Sequence, residues 1–433
     1  MLKRFINMCQ RRDFIVALVF KLLHPIILSR KGTFYVQTKL LRYMLKYAIK
    51  HCTYYRNYFK DQKCPAIIDF PIVDKKIISK NFDAFTSDEK EKFKYQHGYT
   101  GGSTGEPFHM LKYGGYEYGF GKKRWSTYGY KKGDVILAMD GSKIPDELLE
   151  NNIYWIPKNK ESVPFGEYAL SSLYLTDENA HTYFNYIVDL APDHLRGYPS
   201  FIYSIACFAD QLGIDVGQSV KCIELTSESV FLYQIDKIKE VFRCRVFLQY
   251  GHTEACICAN TFDDTYRYRI EPLYGYVEIL DEAGSHVKEG EVGEVVVTSL
   301  YNYAMPLIRY KTGDYAVYGG KDSQYLYLDS VYGRTQDYII DRKGNKVLLT
   351  ALIFGQHIKA MAHVAQWQIE QYVEGAIVLS VVKTGQYDCN DEMEIRNLLT
   401  NLGNVSVDFR YVEQIPLTPR GKSIMLVQHI PLA

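Results

Sequence analysis

The chain lacks an apolar run long enough to cross a bilayer. Its best candidate, Ile15-Val16-Ala17-Leu18-Val19-Phe20, is interrupted at Lys21 and stopped by His24-Pro25, well short of the ~20 apolar residues a spanning helix needs. A small-residue cleavage site is also missing within reach of this basic, apolar N-terminus. The segment reads as an amphipathic helix packed on the main domain, with a peripheral membrane contact as the alternative. An excess of positive charge is missing too. Lys+Arg 51 against Asp+Glu 50 leave a net charge of +1, which gives no support to the basic face of a nucleic-acid binder. The nine cysteines are odd in number and scattered, and Cys256 and Cys258 form the only close pair. One C-x-C without a second pair is a poor metal site, so these residues read as small thiols in a reducing, cytoplasmic compartment. There is no internal repeat and no low-complexity run.

What is present is a long soluble-type chain. Its 433 residues, 47% hydrophobic and 23% charged, predict two or three domains. Tyr35, Leu40, Leu41, Met44, Leu45, Ala48 and Ile49 recur at helical spacing, so residues 34–60 read as helix. Strands are expected at 93–99 and 107–113, and a helix at 115–128. A strand-then-helix rhythm then runs to about residue 250, with strands near 135–139, 195–199, 220–225 and 246–249 and helices between them. That alternation predicts an α/β sheet. From 266 to 330 the texture becomes antiparallel and β-rich, and its edge is a candidate for pairing. A hairpin is expected at 337–349, turning at Lys343-Gly344-Asn345. The expected division is a large domain over 1–333 and a small α+β domain over 334–433.

The stretch Thr100-Gly101-Gly102-Ser103-Thr104-Gly105-Glu106-Pro107 is the densest signal. Three glycines let backbone amides approach an anion, and the hydroxyls add donors. The same residues fit the G-x-S-x-G pattern of a nucleophile elbow with Ser103 as nucleophile. An elbow needs a helix directly after the serine, whereas Phe108 to Tyr113 read as a strand. The strand–loop–strand reading suits a phosphate cradle better. An inactive protein that keeps only the fold is a third reading.

Four further loops follow in order: Tyr250-Gly251-His252-Thr253-Glu254, Tyr310-Lys311-Thr312-Gly313-Asp314, Gly333-Arg334, and Pro416-Leu417-Thr418-Pro419-Arg420-Gly421-Lys422. Singly each is weak. Together with the glycine loop they resemble the adenylate-forming superfamily of acyl-CoA synthetases and adenylation domains. Tyr54-Tyr55-Arg56, Asp69-Phe70-Pro71, Ser171-Ser172, Gly197-Tyr198-Pro199-Ser200 and Ser227-Glu228-Ser229 narrow the resemblance. They point to phenylacetate-CoA ligase relatives and among these to the capsule-biosynthesis, CapK-like subgroup.

The resemblance implies an ATP-dependent, AMP-forming ligase. A carboxylate would attack the α-phosphorus, and an amine or the thiol of CoA would then displace AMP. Thr100, Gly101, Gly102, Ser103, Thr104 and Gly105 would hold the β- and γ-phosphates. Glu254 would hold Mg2+, and Thr253 would contact the α-phosphate. Ser227, Glu228, Ser229 and Tyr250 would line the adenine pocket, and Gly251 is also expected to bind ATP. Asp314 would bind the ribose hydroxyls, with Arg334 in support. Lys422 would bridge the attacking carboxylate and the α-phosphate. Gln336 takes the hinge position, where relatives usually carry Asp or Lys. Leu173-Tyr174-Leu175 replaces a histidine common in the subgroup, so Tyr174, with Tyr198, is expected at the substrate pocket. The expected partners are a small carboxylate, such as a sugar acid, and an amine or CoA, in surface-polysaccharide biosynthesis.

Overall fold

The computed structural model describes residues 33–60, 65–100, 108–113, 115–334, 338–348 and 359–430. The N-terminal segment, Gly101 to Pro107 and Gln336 lie outside the described residues, as do the side chains of Thr100 and Arg334. The chain forms two compact units, and each is discontinuous in sequence. One comprises residues up to Gly129 together with Gln249–Val331, and the other comprises Tyr130–Leu248 together with residues from Tyr332 onward.

In the first unit the expected long helix is two helices, Thr33–His51 and Thr53–Phe59. Cys52 breaks them because its backbone is extended and bridges to Ser87. Tyr47 and Ser87 hydroxyls (2.7 Å) and the His51–Asp88 pair (2.8 Å) pin the same place. Periodicity cannot show such a break, since both halves keep the same apolar face. Gln96–Thr100 and Phe108–Lys112 pair antiparallel, with Thr100 opposite Phe108. The next helix begins only at Glu117. The glycine stretch therefore joins strand to strand, as expected.

The β-rich expectation holds. Gly275–Leu280, Val292–Ser299, Tyr310–Lys321, Leu326–Arg334, Tyr268–Ile270 and Cys258–Asn260 are sheet neighbours in that order, and their registered pairs are antiparallel. Arg309 anchors the start of the Tyr310 strand from a left-handed backbone position (φ 46°). Its guanidinium lies 3.1 Å from the Glu278 carboxylate, and both side chains are buried. It also donates to the Phe70 carbonyl at 3.4 Å. Arg309→Ala would leave the buried Glu278 carboxyl, already pushed up by burial, without its partner. It is expected to destabilise the protein by about 3–5 kcal/mol, read as a lowered urea midpoint with an unchanged slope.

In the second unit Cys222–Thr226, His194–Gly197, Ile136–Asp140 and Tyr168–Ser171 are neighbouring parallel strands. Trp155–Pro157 adds an antiparallel edge. The residues of Ile136–Met139 are fully buried and apolar, as expected of a parallel strand covered on both faces. Helices Ala180–Leu190, Pro199–Leu212 and Leu232–Phe242 alternate with these strands. The remainder is α+β. A hairpin pairs Tyr338–Ile340 with Lys346–Leu348, as expected. A four-stranded sheet runs in the order Ser406–Tyr411, Ala376–Lys383, Val364–Val373, Leu426–Gln428, beside helix Cys389–Gly403. Phe231, Ile339, Trp367, Ile369 and Leu399 share one core there.

Candidate active site

The candidate residues gather in two groups, one on each unit. The first is built on the loop after strand Arg245–Gly251. A tight turn closes where the Ala255 amide donates to the His252 carbonyl (3.0 Å), with Ala255 in the left-handed region (φ 55°). The turn sends Thr253 outward and Glu254 inward.

Glu254 is 5% exposed. Its Oε1 accepts from the Tyr310 hydroxyl at 2.7 Å, and Lys75 Nζ lies 3.7 Å from the same oxygen. His252 Nδ1 lies 3.1 Å from Oε2. Burial alone would push this carboxyl up. The neighbouring imidazole, the Lys75 ammonium and the Tyr310 hydroxyl overcome it and hold Glu254 well below the usual carboxylate range. A buried, ionised oxygen donor is what a hard cation needs. Mg2+ ordinarily takes one or two carboxylates and completes its shell with phosphate and water. Among the described residues no cluster of three or more metal-ligating side chains occurs. Glu254 fits Mg2+ as a single protein donor for a phosphate-borne ion.

Asp314 belongs to the same group. The Tyr250 hydroxyl donates to its Oδ2 at 2.7 Å. The Asp314 amide donates to Thr312 Oγ1 (3.0 Å), which in turn donates to the Val295 carbonyl (2.9 Å). Burial and the adjoining Asp314 push the Tyr250 phenol well up, so it remains a donor. The structure thus joins Tyr250, Glu254 and Asp314 in one partly buried polar group, with Gly251 on the strand end that leads into it. Tyr250, expected at the adenine, here donates to the carboxylate expected at the ribose. Sequence reading gave no role to Tyr310, His252 or Lys75. Tyr310 and His252 sit inside two of the motifs, whereas Lys75 carries no motif signal at all.

The second group lies at the carboxyl ends of the parallel strands. Ser227, directly after Cys222–Thr226, has a left-handed backbone (φ 74°) and accepts from Lys422 Nζ through its carbonyl at 2.9 Å. The ammonium also lies 5.5 Å from the centre of the Tyr198 ring. Glu228 Oε1 accepts from the Ser423 amide (2.8 Å) and Oε2 from the Ser200 amide (3.1 Å). Burial pushes the Glu228 carboxyl up against these donors. Tyr198 donates to the Arg420 carbonyl at 3.1 Å. Tyr174 accepts from the Ile144 amide at 3.4 Å and so is tied to the loop that follows strand Ile136–Asp140. Ser229 is half-buried in the same turn. Arg334 ends strand Leu326–Arg334.

Residues 339–429 match the family model of the CapK C-terminal domain. The chain is 26% identical over 392 residues to Protein CapK of Staphylococcus aureus, covering 84% of this chain and 80% of that protein. Among solved structures, it resembles 2-hydroxyisobutyryl-CoA ligase in the postadenylation state with 2-HIB-AMP. The TM-score is 0.69 at 15% identity, over 90% of this chain and 88% of that one. It also resembles the anthranilate CoA ligase AuaEII bound to anthranoyl-AMP, with a TM-score of 0.51 at 16% identity over 75% of this chain and 65% of that one. The expected resemblance therefore holds: the fold is that of the adenylate-forming ligases, and residues 339–429 match the C-terminal domain of CapK.

Proposed function

We propose that this protein is an ATP-dependent, AMP-forming carboxylate ligase that passes its acyl group to an amine or thiol acceptor. The observation that supports this most strongly is the placement of Lys422 beside Ser227 and Tyr198, at the carboxyl ends of parallel strands. Open α/β sheets bind their ligands at such ends. The chemistry requires an anionic carboxylate to meet a polyanionic triphosphate, with charge growing on the equatorial oxygens. Fixed cations and donors at that point lower the barrier. Lys422 supplies a movable cation, bridging the attacking oxygen and the α-phosphate. Glu254 would hold Mg2+, which would supply neutralisation of phosphate charge. Thr253 contacts the α-phosphate, and Thr100 to Gly105 cradle the departing pyrophosphate. Asp314, oriented by Tyr250 and seconded by Arg334, binds the ribose. The segment from 334 acts as a small C-terminal domain that repositions about Gln336 between the half-reactions.

The relation to CapK supports a place in capsular or surface-polysaccharide biosynthesis, with a sugar acid or polysaccharide precursor as the carboxylate. The likeness to CoA ligases supports CoA as the alternative acceptor. The deciding experiment is pyrophosphate release across a panel of acids, each run with CoA, with amines and with neither. Acid-dependent release is expected, and the acceptor that accelerates turnover separates thioester from amide synthesis. Absence of acid-dependent release across sugar, aryl and aliphatic acids would refute the reading.

Ser103→Ala tests the cradle. Losing one neutral donor is expected to raise the KM for ATP roughly two- to tenfold and leave turnover at saturation nearly intact. Complete loss of an esterase activity in this variant would instead restore Ser103 as a nucleophile.

A further inference from the structure

The tail loop is held by one grip from each neighbouring strand end. Residues immediately beyond the parallel strands are Gly141, Ser172, Tyr198 and the pair Ser227-Glu228. Each meets the backbone or a side chain of Arg420–Ser423, with Gly141 and Tyr198 both at Arg420. Ser172 Oγ donates to the Gly421 carbonyl at 2.9 Å, and the Tyr198 hydroxyl to the Arg420 carbonyl at 3.1 Å. Gly141 lies against the loop backbone itself: a Cβ placed on it would fall 1.8 Å from the Arg420 carbonyl oxygen. Gly421, at φ +70°, has no room for a Cβ either, since one would lie 2.3 Å from Ser172 Oγ. The loop also has its own turn. The Gly421 amide donates to the Thr418 carbonyl (2.8 Å) and the Lys422 amide to Thr418 Oγ1 (3.0 Å).

Among these grips Glu228 differs in kind. It takes both of its oxygens to backbone amides on opposite sides. Oε2 receives the Ser200 amide in the first turn of helix Pro199–Leu212, where an anion is favoured by the unpaired amides and the helix dipole. Oε1 receives the Ser423 amide, one residue past Lys422. Ser200 and Ser423 are fixed in separate parts of the chain, so the carboxylate is the bridge that relates the lysine loop to the helix end.

We propose that Glu228 is a positioning residue whose two carboxylate oxygens seat the loop bearing Lys422, setting where its ammonium is presented. This role rests on the reading of Lys422 as the adenylating lysine and is separate from any contact of Glu228 with adenine. A glutamine at this place offers one carbonyl oxygen to two amide donors and turns an NH2 towards the other, so one grip is lost. An alanine loses both.

The test combines a structural and a kinetic readout on the full chain. Backbone hydrogen exchange across residues 418–425 is expected to speed up in Glu228→Gln and further in Glu228→Ala, with other segments unchanged. Carboxylate-dependent ATP–pyrophosphate exchange is expected to lose kcat by about ten- to a hundredfold, the range for a misplaced catalytic group, while the KM for ATP stays within about twofold. Gly141→Ala attacks the seat from the other side without touching Glu228 and should reproduce both effects. Unchanged exchange at 418–425 in Glu228→Gln and Gly141→Ala overturns the proposal. A raised KM with unaltered kcat also overturns it, by assigning Glu228 to adenine binding alone. If the unmodified enzyme shows no pyrophosphate exchange with any acid, the ligase reading fails, and hydrogen exchange still decides whether Glu228 seats the loop.

Discussion

Replacing Lys422 with alanine is expected to slow acyl-adenylate formation at least about a hundredfold, the scale of losing one charge-assisted contact to a transition state. Turnover of preformed acyl-adenylate with its acceptor should be spared. The split follows from where the charge builds. In the first half-reaction two anions converge and the ammonium has charge to offset. In the second, a mixed anhydride meets a nucleophile after pyrophosphate has gone. The protein itself should remain intact, because Lys422 is half-exposed and its ammonium is held by the Ser227 carbonyl. Pyrophosphate release and acceptor acylation from synthetic acyl-adenylate, measured side by side, check this. Equal pyrophosphate release by Lys422→Ala and the unmodified enzyme would remove Lys422 from the mechanism.

Glu254→Gln should cost both activity and stability. As the proposed protein ligand for Mg2+, its loss should lower carboxylate-dependent pyrophosphate release about a hundredfold or more, with partial recovery at high Mg2+. The stability cost is expected to be about 3 kcal/mol, because Lys75, His252 and the Tyr310 hydroxyl lose the anion they surround. The pH dependence has a definite sign. Glu254 is held below its ordinary range in the folded protein, so its stabilising contribution is complete above the unfolded carboxyl value of about 4.3. It disappears only as the pH falls through the lower folded value. The gap between Glu254→Gln and the parent should therefore be present above that value and narrow in acid, as measured by urea unfolding across pH. A gap that widens on acidification would contradict the ion-paired carboxylate.

Much of this arrangement was legible in the residues. The strand–loop–strand around the glycines followed from the strand-like text after Pro107, and the pairing of Thr100 with Phe108 agrees. The alternation of strand and helix up to residue 250 also followed from the residues. Pro199, expected to close a strand, instead opens helix Pro199–Leu212, and the strand expected at 220–225 is Cys222–Thr226. The antiparallel region after 266 followed as well. Less legible were partners distant in sequence. Lys75 reaches Glu254 across 179 positions of chain, from a helix whose text, Lys75–Lys80, reads as any short polar helix. Gly141 gave no sign of its contact with Arg420, because a lone Asp-Gly pair reads as a turn whether or not backbone packs against it. The Cys52 break was hidden because its cause, the Ser87 bridge, is tertiary. Local pattern carries the elements, whereas contacts that set charge and register are long-range.

The interleaving of the two compact units has a consequence for biosynthesis. The second unit draws on Tyr130–Leu248 and again on residues from Tyr332. Phe231 shares a core with Trp367, whose indole donates to the Tyr233 hydroxyl at 3.2 Å, and the Tyr203 hydroxyl donates to the Val364 carbonyl at 3.1 Å. A nascent chain that has just emerged through residue 333 therefore displays aromatic surface with nothing to cover it. Its completion waits on residues 339–426 to leave the ribosome. Fragments cut near 333 are poor candidates for soluble expression, because the cut separates Phe231 and Tyr233 from the tryptophan that buries them.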